Sequence, residues 1–172
     1  MYNSILYPTD GSEGAERAFE HVKQLGMQFD ATVHVLFVVD SGFGETPMRV
    51  GKDDDGEWTT GMVTRPKENP PETGMLKSEV NLTDVLEREG KQFTSGVADR
   101  LADVGVDATA ACRVGVAPKV IIDYAEGTDI DVIVMGTHGR SGLDRRLIGS
   151  VTEKVVRESP VPVLSVTLED TS

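Results

Sequence analysis

The chain has 172 residues, 38% of them apolar, and a formal net charge of −12. That length suits one domain, 1–172, with a core large enough to fold without staples, and a single cysteine, Cys112, excludes a disulfide framework or a cysteine-based zinc site within the chain. The acidic balance excludes an electrostatic grip on nucleic acid or anionic lipid, and no run of about 18 apolar residues is present to span a membrane.

The opening MYNSILYPTDGSE lacks the basic and apolar regions of a signal peptide, so a cytoplasmic setting is expected. Seven lysines against 29 acidic residues read as a halophile-like acidic surface suited to a salty cytoplasm.

In chain order, YNSILYP (2–8) reads as a strand. Ala15, Ala18, Phe19, Val22 and Leu25 mark one face of a helix over 11–28, and TVHVLFVV (32–39) reads as a second strand. Residues 41–81 break the pattern, with many Gly, Pro and charges and the only tryptophan, Trp58. This long insertion reads as a disordered surface segment rather than a folded lid or a partner-binding element. Leu82, Leu86, Phe93, Val97, Leu101 and Val104 mark a helix over 82–104, followed by a weaker strand, VDATAACRV (106–114). A short helix after Pro118 carries Val120, Ile121 and Tyr124; DVIVM (131–135) is the fourth strand. A last helix with Val151, Val155 and Val156 stops at Pro160 before the closing strand VPVLSVT (161–167). Strands alternating with helices, several strands apolar on both faces, predict an α/β fold: a doubly wound five-stranded parallel sheet with helices on both faces.

In such sheets ligands sit beyond the carboxyl ends of the strands. The fourth strand runs into GTHGRSGLDRRLIGS, with Gly136 and Gly139 at its end and Gly149-Ser150 opening the last helix. Glycines permit close backbone approach, and a helix N-terminus favours an anion. The Ser150 hydroxyl adds a donor, and Arg140, Arg145 or Arg146 are within reach in sequence. A capping box, Ser150 with Glu153, needs no ligand; it is expected to form here, with the same exposed N–H groups then serving a phosphate. At the end of the first strand, Asp10 suits a ligand hydroxyl or amine, or the N-cap of the first helix with Glu13; Thr9 suits a ring nitrogen or simply ends the strand after Pro8.

GTHGRSGLDRRLIGS has the pattern Gly-x2-Gly-x9-Gly-Ser, and ILYPTDGSEGAERA, HVLFVVD, VIVMGTHGRSG and SPVPVLSV follow in order. With these motifs the chain resembles the universal stress protein family, in its ATP-binding branch, over nearly all of its length outside 41–81. The resemblance implies an adenine nucleotide alpha hydrolase-like sheet of order 3-2-1-4-5. Carried over by position, it implies that Asp10 meets adenine or ribose, with Pro8 and Thr9 beside it, and that Val39 holds adenine through its backbone. Met135, Gly136 and Gly139 would lie along ribose and the inner phosphates, flanked by His138 and Arg140. Gly149, Ser150, Val151 and Thr152 would cradle the outer phosphates, with Mg²⁺ or Mn²⁺ bridging phosphate oxygens and no protein side chain ligating it. A homodimer through strand 161–167 and an unidentified signalling partner are also implied. The VGVAP segment (114–118) departs from the family's usual proline position, with Ala117 standing first.

No P-loop, dinucleotide fingerprint or nucleophile elbow is present. His34 reads as a satisfied core residue, His21 as helix surface and Cys112 as packing. No residue is marked as orienting a water for hydrolysis, and Asp144 has no evident placement. The expectation is an ATP-binding regulatory protein in stress response with at most slow hydrolysis. The alternatives are a dimeric interaction module that needs no nucleotide, and a true ATPase.

Overall fold

The computed structural model describes residues 2–40, 48–52, 58–62, 82–138 and 148–167; over 48–52 and 58–62 the description is of the backbone. The elements are β1 (Ser4–Pro8), α1 (Glu13–Phe29), β2 (Thr32–Asp40), β3 (Met48–Lys52), β4 (Trp58–Met62), α2 (Leu82–Ala102), β5 (Ala108–Gly115), α3 (Ala117–Gly127), β6 (Val132–Gly136), α4 (Ser150–Glu158) and β7 (Val163–Val166).

Five strands form a parallel sheet in the order β5-β2-β1-β6-β7, which is 3-2-1-4-5 among the parallel strands. The central strands are buried on both faces, and each face has its own core. On one, Ile5, Tyr7, Val33, Val35, Val132 and Val134 meet Ala18, Phe19 and Val22 of α1 and Phe93, Val97 and Leu101 of α2. On the other, Leu6, Leu36, Ile133 and Met135 meet Ile121 and Ala125 of α3 and Val155 of α4. The side-chain period of two along each strand assigns odd and even positions of β2 to opposite cores.

The insertion departs from the expected disordered segment. Within 41–81, β3 and β4 pair antiparallel, Met48 opposite Met62 and Lys52 opposite Trp58. Val50, Trp58, Thr59 and Thr60 are good strand formers, and alternation in register with a partner suffices for a hairpin. The helix expected to reach Val104 ends at Ala102. Gly105, at φ 83°, closes a Schellman turn in which Val106 N–H donates to Leu101 O at 3.0 Å and Gly105 N–H to Ala102 O at 2.9 Å. Val106 is therefore the residue that re-enters the core, while Val104 is exposed.

The three histidines have separate fates. His21 is on the exposed face of α1. His34, half-buried, lies at the amino end of the sheet, its Nδ1 3.1 Å from the Tyr124 hydroxyl and its Nε2 3.4 Å from the Ser4 hydroxyl. Burial pushes the His34 imidazole below its ordinary value. The unfolded chain therefore takes up a proton more readily than the folded one. Stability is expected to fall as pH drops through the unfolded imidazole's value of about 6.5 and on to the lower folded value. Urea melts of wild type and His34→Asn across this range check it: the wild type should lose more stability on acidification, and parallel pH profiles would contradict the assignment.

Candidate functional site

Three chain exits converge at the carboxyl edge of the sheet: β1 into α1, β2 beyond Val38, and β6 toward α4. β1 stands between β2 and β6, so the connections diverge on its two sides, the arrangement that opens a crevice in doubly wound sheets.

The β1 exit is built on Thr9, Asp10, Gly11 and Ser12. Thr9 is buried and its N–H donates to Leu36 O at 2.9 Å, the last bond between β1 and β2. Gly11 turns the chain at φ 73°, a conformation that favours glycine. Asp10 Oδ1 accepts from Ser12 N–H at 3.0 Å, a local turn. The N-cap of α1 is Ser12, whose hydroxyl accepts from Ala15 N–H at 3.3 Å. The N-cap role that the sequence offered Asp10 as its alternative to a ligand contact falls to Ser12, because the Gly11 turn starts the helix two residues later.

The edge of β2 is read from the alternation of its bonds. Val33 N–H donates to Asp107 O, beside β5, while Leu36 O accepts from Thr9 on β1. Both backbone groups of one residue in a parallel ladder face the same neighbour, and successive residues face opposite neighbours. Val39 therefore directs its N–H and C=O to β5, where it is in register with Val114. Val38 directs its pair toward β1, which ends at Pro8, in register with Leu36. The open backbone edge expected at Val39 thus belongs to Val38.

At β6, Gly136 and the next two residues turn three successive carbonyls to protein donors. Gly136 O accepts from the buried Thr152 hydroxyl at 2.9 Å, and Thr137 O from Gly149 N–H at 2.7 Å. His138 O accepts from the Ser12 hydroxyl at 3.5 Å. Gly136 has a packing reason for lacking a side chain: a Cβ there would stand 2.5 Å from the Gly14 backbone of α1. Gly14, not singled out in the sequence, is the reciprocal case, since its Cβ would collide with the His138 carbonyl oxygen. The sequence signal for it was one more small residue in the first turn of a helix.

The capping box expected at Ser150 is not formed. Gly149 is the N-cap of α4, extended at φ −62° and ψ 150°, and supplies no side-chain cap. Its bond to Thr137 holds it in line with β6, so the helix begins one residue earlier than a Ser150 cap would set it, and Glu153, no longer third after the cap, pairs with Arg157. The first intrahelical bond is Glu153 N–H to Gly149 O at 2.9 Å. The N–H groups of Ser150, Val151 and Thr152 therefore point out of the helix end. Thr152 gives its hydroxyl to Gly136 and has only its N–H for a ligand.

Pro8, Thr9 and Asp10 thus end the strand next to Met135 and Gly136. His138 Nδ1 lies 2.9 Å from the Thr137 hydroxyl, and its buried Nε2 has no hydrogen-bond partner among the described residues. Gly139, Arg140, Asp144, Arg145 and Arg146 lie outside the described residues. Among the described residues no three His, Cys, Asp or Glu converge to hold an ion, and no helix is long and apolar enough to cross a membrane.

A doubly wound sheet with a helix N-terminus opening on the edge of its central strands defines the nucleotide-binding class of α/β architecture. The universal stress protein family model matches residues 1–167, and the chain belongs to that family. It is 35% identical over 170 residues to universal stress protein MJ0577 of Methanocaldococcus jannaschii, covering 96% of this chain and 95% of that protein. It is 31% identical to MJ0531 of the same organism, covering 96% and 82%. The solved structure of MJ0577 superposes with a TM-score of 0.72, at 30% identity and 99% coverage of both chains. Two further universal stress proteins share the fold: one solved in complex with cAMP (TM-score 0.62, 21% identity, 98% of this chain and 99% of that one) and one from Archaeoglobus fulgidus in complex with dAMP (0.60, 18%, 97% and 98%).

Replacing Thr152 by Val keeps its shape and leaves the Gly136 carbonyl without that donor. A loss of about 1–3 kcal/mol in denaturant unfolding is expected. An unchanged midpoint would show that the bond contributes nothing to holding α4 on β6.

Proposed function

We propose that the protein binds an adenine nucleotide, ATP in the first instance, at the carboxyl edge between β1, β2 and β6, and acts as a nucleotide-dependent regulator in stress response. The observation that carries this reading is the N-terminus of α4, which has no side-chain cap among the described residues. Gly149 provides no side-chain acceptor, and the N–H groups of Ser150, Val151 and Thr152 face outward. A phosphate meets those donors and the positive end of the helix dipole together. The carbonyls of Gly136, Thr137 and His138 are engaged by protein donors, which removes three acceptors that would compete with phosphate oxygens.

Adenine is placed against the Val38 edge, whose N–H and C=O match the donor–acceptor face of the base, with Asp10 and Thr9 toward the ribose. Met135, Gly136, His138, Gly139 and Arg140 line the path to the phosphates. The cation, Mg²⁺ or Mn²⁺, is held by phosphate oxygens. The family membership and the cAMP and dAMP complexes of proteins with the same fold support an adenine nucleotide as the ligand class. Binding without efficient turnover is proposed, because donors and a dipole stabilise a bound phosphate without supplying an oriented water.

Homodimer formation is proposed through residues 161–167. Among the described residues β7 pairs with β6 on one side only, and Leu164 is 40% exposed on it. An open apolar edge of this kind favours pairing with a second copy. A cytoplasmic location and an acidic surface suited to high salt complete the proposal.

Ser150→Asp separates the helix end as a cap from the helix end as a phosphate site. Asp in the first turn favours the helix dipole and repels phosphate. Thermal stability should hold or rise while ATP affinity by calorimetry falls by roughly tenfold or more, about 1.4 kcal/mol. Undiminished ATP affinity would sink the proposal. Sedimentation equilibrium should show a dimer, and a Leu164→Lys variant a monomer; a dimer unaffected by that change would place the interface elsewhere.

A further inference from the structure

Resting on this reading of the site, we propose that Gly14 and Ser12 are positioning residues for the phosphate half of it, acting through the His138 carbonyl without touching the ligand. The first turn of α1 is packed against the end of β6 with no side chain between them. Gly136 abuts the Gly14 backbone, and the His138 carbonyl oxygen occupies the space where a Gly14 Cβ would stand. The Ser12 hydroxyl has one hydrogen and gives it to His138 O at 3.5 Å, while its oxygen accepts from Ala15 N–H at 3.3 Å. One side chain thus caps the helix and holds the exit of β6.

The helix turn has little freedom to retreat. The Tyr7 hydroxyl, from beneath, donates to Ala15 O at 2.7 Å. Tyr7 is fully buried, and burial keeps its phenol protonated. The His138 carbonyl is held on this side by the long Ser12 bond alone, at 3.5 Å. A methyl group on Gly14 therefore moves His138 rather than α1, and the displacement passes through Thr137, whose carbonyl accepts from Gly149 N–H, to the N-terminus of α4. The Ser12 hydroxyl is bonded to His138 and Ala15, on the β6 side of β1 and away from the β2 edge where the base is placed, so the effect should be selective for the phosphate end.

The test compares wild type, Gly14→Ala and Gly26→Ala by calorimetry with Mg-ATP and with adenosine, with the His138 carbonyl carbon shift followed by NMR. Gly26 is the control: it lies in the same helix, and its Cβ would meet the Val106 side chain at 2.6 Å, away from the site. Gly14→Ala is expected to weaken ATP by roughly tenfold, leave adenosine unchanged and move the His138 shift; Gly26→Ala should alter stability alone. Should Gly14→Ala fail to fold, Ser12→Ala gives the same comparison, and Ser12→Thr, which keeps the hydroxyl, should restore ATP affinity. Equal ATP affinity in wild type and Gly14→Ala, equal losses for ATP and adenosine, or an unmoved His138 shift overturns the inference while leaving the nucleotide site standing. A wild type that binds neither ligand overturns the reading of the site, and this inference with it.

Discussion

At the end of β6 two backbones meet with no room for a Cβ on either Gly136 or Gly14, and the rest of the site depends on how that crowding is resolved. Gly136, Thr137 and His138 each turn a carbonyl to a donor from a different residue: the Thr152 hydroxyl, the Gly149 N–H and the Ser12 hydroxyl. Two of these donors belong to the start of α4 and one to the start of α1. Both helices are thereby pinned to one strand at its exit. A buried carbonyl left without a donor costs about 1–3 kcal/mol, so the three bonds are also a constraint on where each helix can begin. They give α4 a glycine N-cap held by its own N–H rather than a serine cap held by its side chain.

This arrangement also decides the electrostatics. Backbone acceptors are turned back into the protein and backbone donors are left facing outward. The same polarity would be wasteful in a plain connection, where a Ser, Thr or Asp cap satisfies the first turn at once. α1 shows that ordinary solution at the neighbouring strand exit, with Ser12 capping its own helix. The contrast between a capped α1 and an uncapped α4 separates a structural helix start from one suited to an anion. The α1 cap is not idle, since its spare hydrogen holds His138.

Much of this was legible in the sequence. β1, β2 and β6 are continuous apolar runs because both faces of the sheet are covered, and the helices between them showed one apolar face each. The glycine spacing after β6 pointed to the helix start on which the proposed site is built. What was not legible follows from tertiary contact. Asp10 and Ser12 are both good caps, and the positive φ of Gly11 chose between them. Ser150 with Glu153 has the spacing of a capping box, but the Gly149–Thr137 bond sets the helix start one residue earlier in the cap frame. Gly136 looked like a ligand glycine, and its tightest neighbour is another backbone, that of Gly14. The choice of Val38 over Val39 is a matter of ladder parity, fixed by the register with β1 and β5 and invisible in a run of valines. The hairpin of β3 and β4 was hidden in a segment whose overall composition suggests disorder.

The central claim is that outward amides of α4 and the open edge of β2 hold the two ends of one nucleotide. Amide NMR during titration with Mg-ATP addresses it residue by residue. The account predicts large shifts for the N–H groups of Ser150, Val151, Thr152 and Val38, with His34, Tyr124 and Asp131 at the opposite end of the sheet unmoved. Shifts confined to that opposite end, or an α4 N-terminus that stays silent while ATP binds, would contradict it.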